Sequence, residues 1–394
     1  MNPQRRKGFA TRSIHVRTPP VDQETPSVPI FQTTTYRHLS SQDYADTMNL
    51  RRPGYAYTRG QGNPTLLAFE QVMADLEDTE SAFSFASGMA AVHTVVTTFA
   101  KAGDRIVVSS ELYGGTYSLF QRFMPGYGIE VTFVNPHDVA AVRAALPGAA
   151  LFYVETIANP NVAVADLEAL GSACREAGVP GVADNTFASP YLCNPADYGF
   201  GLVLHSTTKY IGGHHDLTGG IVCTSKEDML RLRDTVIHTG GTMAPLEAWL
   251  SMRGLMTLAI RMERHCASAL ALAELLEGHP KVVRVHYPGL VSHPHHEVAR
   301  RLLPRGFGGM LAFEVAGGVE GGMAFCDALE LAWVATSLGG THTLVSHAPS
   351  TTHRQMDADA RKAAGIAEGL VRVSVGLEDL DDLIEDFGEA LEKA

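Results

Sequence analysis

Only five cysteines occur in the 394 residues (Cys174, Cys193, Cys223, Cys266 and Cys326), and none belongs to a Cys-x-x-Cys pair. A disulfide framework and a structural zinc site are therefore not expected, and a reducing cytoplasm fits best. A basic surplus is also missing. Lys and Arg number 31 against 43 Asp and Glu, a net charge of −12. A nucleic-acid binder would show a basic surplus or stripe, whereas an acidic protein can still hold a cationic pocket for a small anion. No apolar run reaches the ~18 residues of a membrane helix. The basic opening, MNPQRRKGFATRS, has no apolar stretch behind it, so a secretory signal is not expected. Internal repeats, low-complexity segments and a Gly-x-x-x-x-Gly-Lys-Ser/Thr loop are absent. Gly306-Phe-Gly-Gly lacks the strand-then-helix context of a dinucleotide site. These absences predict a soluble cytoplasmic protein that works on a small molecule, with no nucleic-acid and no membrane partner.

What is present is an ordinary globular composition, 45% hydrophobic and 19% charged, and a length that suggests two domains. Residues 1–63 are rich in Pro, Thr, Arg and Gln with little periodicity, and read as an extended arm that needs a surface to lie on. Beyond them, helices are expected at 65–78, 88–100, 116–123, 139–146 and 166–177. Short β-branched runs are expected as strands at 105–108, 131–134, 151–154, 181–183, 202–204 and 221–223. This alternation predicts an α/β fold with a large, mostly parallel sheet covered on both faces. A long helical stretch at 245–276, broken around Arg253-Gly254, leads into a smaller α/β unit. Its expected strands lie at 282–286, 311–315, 332–335 and 370–375, with helices at 319–329 and from Asp379. The expected division is an arm (1–63), a large domain (64–250) and a small C-terminal domain (251–394).

Lys209 carries the first chemical signal. A lone lysine is ordinarily a solvated charge, but this one sits in His205-Ser-Thr-Thr-Lys-Tyr-Ile-Gly-Gly-His214, just after an expected strand. Ser206 and Thr208 precede it and glycines follow, a texture that lets a phosphate approach closely. A lysine beside a phosphate cradle can hold an aldehyde cofactor as a Schiff base. Pyridoxal 5'-phosphate (PLP) then requires a buried carboxylate to keep its ring nitrogen protonated. Asp184 ends the 181–183 strand, and ligands of parallel sheets bind outside the carboxyl ends of strands. Ser87-Gly88-Met89 opens an apolar helix, where free N–H groups and the helix dipole suit a phosphate. Tyr113 follows the 105–108 strand and is placed to stack on a cofactor ring. Arg372 interrupts an apolar strand, and a substrate carboxylate is a natural bidentate partner for it. Ser337 could add a hydrogen bond to that carboxylate. Two histidine clusters, Gly213-His-His-Asp216 and His293-Pro-His-His296, lack the second carboxylate or cysteine that a metal site needs, so no metal is expected.

At this point the chain resembles the Cys/Met-metabolism PLP enzymes of trans-sulfuration, the group of cystathionine γ-lyase, methionine γ-lyase, cystathionine γ-synthase and the O-acylhomoserine sulfhydrylases. The resemblance runs from Ala10-Thr-Arg-Ser-Ile-His and Gln32-Thr-Thr-Thr-Tyr, through Tyr57-Thr-Arg and Gly62-Asn-Pro-Thr, to Arg372-Val-Ser-Val-Gly-Leu-Glu-Asp. Its most specific part is Asp184-Asn-Thr-Phe followed by Ser206-Thr-Thr-Lys-Tyr. The resemblance implies fold type I, the aspartate aminotransferase-like PLP transferase fold. It implies Lys209 as the Schiff-base lysine and proton shuttle, Asp184 at the ring nitrogen, Tyr113 on the ring and Asn159 near the ring hydroxyl. It also implies Ser87, Gly88, Met89, Ser206 and Thr208 at the phosphate, Arg372 and Ser337 at the substrate carboxylate, and Tyr57 and Arg59 reaching the phosphate of a neighbouring subunit. The implied assembly is a homotetramer of two catalytic dimers.

Several positions depart from the family pattern. Arg59 to Asn63 is one residue longer, and the usual Glu-Thr-Pro-x-Asn-Pro reads Glu155-Thr-Ile-Ala-Asn-Pro. Gly115 stands where methionine γ-lyases carry a cysteine, His342 where many cystathionine enzymes carry glutamate, and His347-Ala-Pro inverts His-Pro-Ala. Several of these lie where the family reads the distal part of its substrate, and His342 becomes a candidate substrate contact. The resemblance implies γ-elimination on L-cystathionine or L-methionine. Ser337-Leu-Gly-Gly leans toward the cystathionine enzymes. The alternatives are γ-replacement on an O-acylated homoserine, toward which Ser350-Thr-Thr-His-Arg-Gln leans, and a specialised biosynthetic relative. From another class, a PLP-binding scaffold without turnover is disfavoured by the intact Lys209, Asp184, Tyr113 and Arg372.

Overall fold

The computed structural model describes residues 7–16, 25–351, 361 and 365–394. The first six residues of the basic opening and residues 352–355 of the Ser350 motif lie outside the described residues.

Seven strands form the larger sheet: β1 (Ser81–Phe85), β2 (Arg105–Ser109), β3 (Glu130–Val134), β4 (Phe152–Glu155), β5 (Gly181–Asp184), β6 (Leu202–Ser206) and β7 (Gly220–Thr224), in the order β1-β7-β6-β5-β4-β2-β3. β7 runs antiparallel to both its neighbours, and the remaining pairs are parallel. Alternate residues of each strand enter two apolar clusters on opposite faces. Val107, Phe152, Val154, Ala183 and Val203 face one, while Val108, Tyr153, Val182, Leu202 and Leu204 face the other. Period-two side chains buried on both sides produce the near-continuous apolar runs seen in the sequence. The helix Pro64–Glu77 starts at an Asn63 cap whose side chain accepts from the Thr65 N–H, with proline at its first position.

The smaller sheet contains β8 (Val282–His286), β9 (Met310–Val315), β10 (Trp333–Val334), β11 (Leu344–His347) and β12 (Leu370–Ser374), in the order β10-β11-β12-β9-β8. Its pairs are antiparallel apart from β10 with β11. Helices Leu258–Glu277, Gly318–Ala328 and Leu380–Lys393 cover it through Leu272, Leu276, Phe325, Leu383, Phe387 and Leu391.

Several elements differ from the sequence expectation. β1, β11 and the helix Lys226–Thr239 lie in stretches assigned to no element. The expected 116–123 helix is instead Gly114–Ser118 in α form, Leu119–Phe123 in π form and Met124–Tyr127 in 3-10 form. Pro125 lacks the N–H that a continued α-helix would use. The long stretch after 245 breaks at Met256-Thr257, between helices Pro245–Leu255 and Leu258–Glu277, and not at Arg253-Gly254. Gly254 stays helical, and a Cβ there would collide with the carbonyl oxygens of Ile211 and Gly212.

The arm is not wholly extended, since it contains helices Phe9–Ile14 and Ser41–Met48. Phe9 is buried edge-on against Tyr191 with ring centroids 5.3 Å apart. Asn63 Nδ2 donates to the Phe31 carbonyl at 2.8 Å, and the Thr65 hydroxyl accepts from the Phe31 N–H at 2.9 Å. Farther out, Leu39 is 93% exposed, and Tyr44, Leu50 and Tyr57 are also exposed.

Candidate active site

The carboxyl ends of β4, β5 and β6 open onto a cavity of about 330 Å³ that Arg372 of the smaller sheet also lines. Its wall includes Ser87, Gly88, Met89, Tyr113, Asn159, Asp184, Ser206, Thr208, Lys209, Ser337 and Arg372. Tyr57, Arg59 and His342 do not line it. Tyr57 and Arg59 are exposed on the arm, with the Arg59 guanidinium 5.6 Å from the Tyr57 ring centroid. His342 is exposed and stacks on Trp333, centroids 4.3 Å apart.

Lys209 follows β6 in a tight turn whose Gly212 N–H returns to the Thr207 carbonyl at 2.8 Å and whose Gly213 N–H returns to the Lys209 carbonyl at 2.8 Å. Arg261 clamps the outside of this turn, donating to the Tyr210 carbonyl at 2.8 Å and to the Gly254 carbonyl at 2.7 Å. Lys209 Nζ donates to Ser337 Oγ at 3.0 Å. Burial, and then the neighbouring Arg372 charge, lower its pKa to about 8. Both effects disfavour the ammonium, so the amine is available as nucleophile or base near neutral pH.

Ser337 holds φ at +86°, a left-handed backbone that a non-glycine residue rarely adopts. That conformation lets Ser337 meet both cations, since its carbonyl accepts from Arg372 Nη2 at 3.1 Å while its hydroxyl accepts from Lys209. Arg372 lies in β12, the central strand of its sheet, opposite Ser346 and Ala312, and is 4% exposed. An arginine on the solvent face of an edge strand is thereby excluded. Its Nη1 donates to Asn159 Oδ1 at 3.4 Å. Its Nε is buried without a partner among the described residues, and a buried polar group of this kind ordinarily has one.

Asp184 ends β5 at the cavity wall. Its Oδ1 accepts from the Thr186 N–H at 3.1 Å and the Thr186 hydroxyl at 2.5 Å, and its Oδ2 accepts from the Tyr153 hydroxyl at 3.0 Å. On the other side Ser87 caps the helix Gly88–Phe99, accepting from the Ala90 N–H. The first amides of that helix lack an intrahelical partner. A Cβ on Gly88 would stand 2.8 Å from Ser206 Cβ, so glycine is what lets the helix start meet the lysine turn.

This wall suits pyridoxal 5'-phosphate. It offers a buried amine of lowered pKa, a donor-supported carboxylate and a helix start crowded against two hydroxyl residues. Sequence reasoning missed Tyr153, Thr186, Glu155 and Arg261. Only Glu155 carried a signal, as a charge ending an apolar strand. Among the described residues no group of three or more His, Cys, Asp or Glu is disposed to hold a metal. His295 instead stacks on His137 at 4.0 Å, and His214 Nδ1 bonds the Gly212 carbonyl at 2.9 Å.

Residues 10–392 match the family model described as Cys/Met metabolism PLP-dependent enzyme. An L-methionine gamma-lyase of Fusobacterium nucleatum subsp. polymorphum is 42% identical over 390 residues, 98% of each chain. A cystathionine gamma-lyase of Bacillus subtilis is 40% identical over 93% of this chain and 94% of its own. The crystal structure of an O-acetylhomoserine (thiol)-lyase of Campylobacter jejuni, solved with an N'-pyridoxyl-lysine-5'-monophosphate, has a TM-score of 0.94 at 30% identity and covers 98% of this chain and 100% of its own.

Proposed function

Because the chain belongs to the Cys/Met metabolism PLP-dependent enzymes, we propose that it is a carbon–sulfur lyase carrying out γ-elimination on L-methionine or L-cystathionine. One water is consumed, and 2-oxobutyrate, ammonia and a thiol are released. The observation that carries this reading is the convergence of Lys209, Asp184, Tyr113 and Arg372 on one cavity, with the Lys209 amine at a pKa of about 8.

When bound, the cofactor supplies an electron sink for the charge left at the substrate α-carbon. Ser87, Gly88, Met89, Ser206 and Thr208 would hold its phosphate, Asn159 would meet its ring hydroxyl, and Asp184 would maintain negative charge at its ring nitrogen. Tyr113 would cover the ring. Arg372 binds the substrate α-carboxylate through its fork and unpartnered Nε, with Ser337 beside it. Lys209 Nζ, neutral as substrate binds, removes the α-proton and carries protons along the substrate. Tyr113 Oη gives a proton to the departing sulfur.

The reading includes a homotetramer of two catalytic dimers, supported by the exposed apolar residues of the arm, in which Tyr57 and Arg59 serve a neighbouring phosphate site. It includes a division into arm (1–63), large domain (64–250) and small domain (251–394), supported by the two separate sheets. It also includes a cytoplasmic location, supported by five buried free thiols. His342 is assigned to the distal end of the substrate on the strength of its position two residues beyond the Gly339-Gly340 turn that follows Ser337.

The test is 2-oxobutyrate release from L-methionine and L-cystathionine with cofactor and no added nucleophile. Release from either is expected, and Lys209→Ala abolishes it. The likeness to an O-acetylhomoserine (thiol)-lyase sustains a second reading, γ-replacement. No release from either amino acid, with a thioether formed from O-acetyl- or O-succinyl-homoserine and a thiol, would establish that reading instead.

A further inference from the structure

Parallel pairing of β4 with β5 places Glu155 directly beside Asp184. Both carboxyl groups end their strands at the same cavity, and Glu155 is 5% exposed. Two carboxylates so close and so poorly solvated do not both ionise readily. The surrounding donors decide which keeps the charge. Asp184 receives three: the Thr186 N–H, the Thr186 hydroxyl and the Tyr153 hydroxyl.

Glu155 has a different environment. Its Oε1 accepts the Tyr113 N–H at 2.6 Å, and the Asn159 N–H also donates to its carboxyl. The charged and titratable groups around it are Asp184 on β5, Glu111 on the turn after β2, Tyr153 on its own strand, and Tyr113. The cations of the cavity, Lys209 and Arg372, are both bonded to Ser337. Burial first, then Asp184, push the Glu155 pKa well above the usual carboxylate range, against the Tyr113 and Asn159 amides, which pull it down. Burial raises the Asp184 pKa as well, but its Thr186 and Tyr153 donors and the nearby His205 pull it back.

Tyr113 and Asn159 lie on different turns, after β2 and β4, and both face the cavity. The Glu155 carboxyl joins those turns through their main-chain amides. We propose that Glu155 is a positioning residue for the reaction, a neutral carboxylic acid that ties the Tyr113 turn to the Asn159 turn and leaves the negative charge of the pair on Asp184. An ionised Glu155 would compete with Asp184 for the cationic ring. A missing Glu155 would leave two buried amides without an acceptor and free the Tyr113 turn to move. This inference rests on the cavity being the cofactor site.

The amide variant separates the neutral role from a charged one, because glutamine keeps one acceptor and one donor and carries no charge. Glu155→Gln is expected to hold kcat within about threefold of wild type and to leave the pH midpoint of kcat unmoved. Glu155→Ala, by orphaning the amides, is expected to lose about tenfold to a hundredfold in kcat with little change in KM. Measured at a pH above the value of about 7 to which burial raises Glu70, the holoenzyme should show the infrared carbonyl band of a protonated carboxylic acid, and Glu155→Gln should remove it. A Gln variant as impaired as Ala, a displaced pH midpoint, or no such band would overturn the proposal, as would an Ala variant of wild-type rate. If the Ala protein does not fold, the Gln kinetics and the infrared band decide alone. Failure of the cofactor reading is distinguishable, because it appears in the wild-type protein as absence of the visible absorbance of a cofactor bound to Lys209.

Discussion

At Lys209 two opposing demands meet. The amine must be held in place by a hydrogen bond, and it must also lose its proton readily to attack a carbonyl. Ser337 Oγ answers the first at 3.0 Å, while burial and Arg372 answer the second by bringing the pKa to about 8. Cofactor capture by the bare protein requires the neutral amine, so its rate should rise with pH and reach half its plateau near pH 8. Stopped-flow absorbance after adding pyridoxal 5'-phosphate measures this, and a midpoint near that of a free lysine would contradict it. Much at this scale was legible, because Asp184 and Arg372 each interrupt an apolar run with a charge that needs a partner, and Lys209 stands among hydroxyls and glycines just after one. Thr186 and Tyr153 were not, since hydroxyls in or beside strands are common and nothing in the sequence marks the ones that aim at a carboxylate.

Among the elements, the parallel strands were readable from their β-branched runs, and their carboxyl ends from the general geometry of such sheets. β1 reads Ser-Ala-Phe-Ser-Phe and pairs with β7 along its whole length. Its two serines break the apolar run between helices, and its partner lies some 140 residues ahead, beyond any local pattern. The helix Pro245–Leu255 shows the reverse error. Gly254 looked like a breaker, yet the residue is small because the helix rests on the lysine turn. Gly254→Ala should therefore destabilise the protein by about 1–3 kcal/mol through overpacking, even though alanine is the better helix former. Urea unfolding of the holoenzyme checks it. The same variant should bind the cofactor more weakly, because Ile211 and Gly212 lie two and three residues from Lys209.

In the whole molecule the larger sheet supplies Asp184, Glu155 and the turn that carries Lys209, whereas the smaller one supplies Arg372 and, between β10 and β11, Ser337. The site is thus closed by contacts between the two halves, of which Lys209–Ser337 and Arg372–Asn159 are two. The described residues of the arm contribute nothing to that cavity within one chain, although its composition had marked it as a segment seeking a surface. Tyr57 and Arg59 stand on it, outward and stacked on each other. If they complete a site in another copy, mixing Tyr57→Phe with Lys209→Ala protein should restore activity that neither possesses alone. Hybrids that remain inactive would count against sharing. Such an arm also turns catalysis into a matter of mass action. Turnover per chain would decline on dilution and recover on concentration, so that the amount of enzyme present would set how well each molecule of it works.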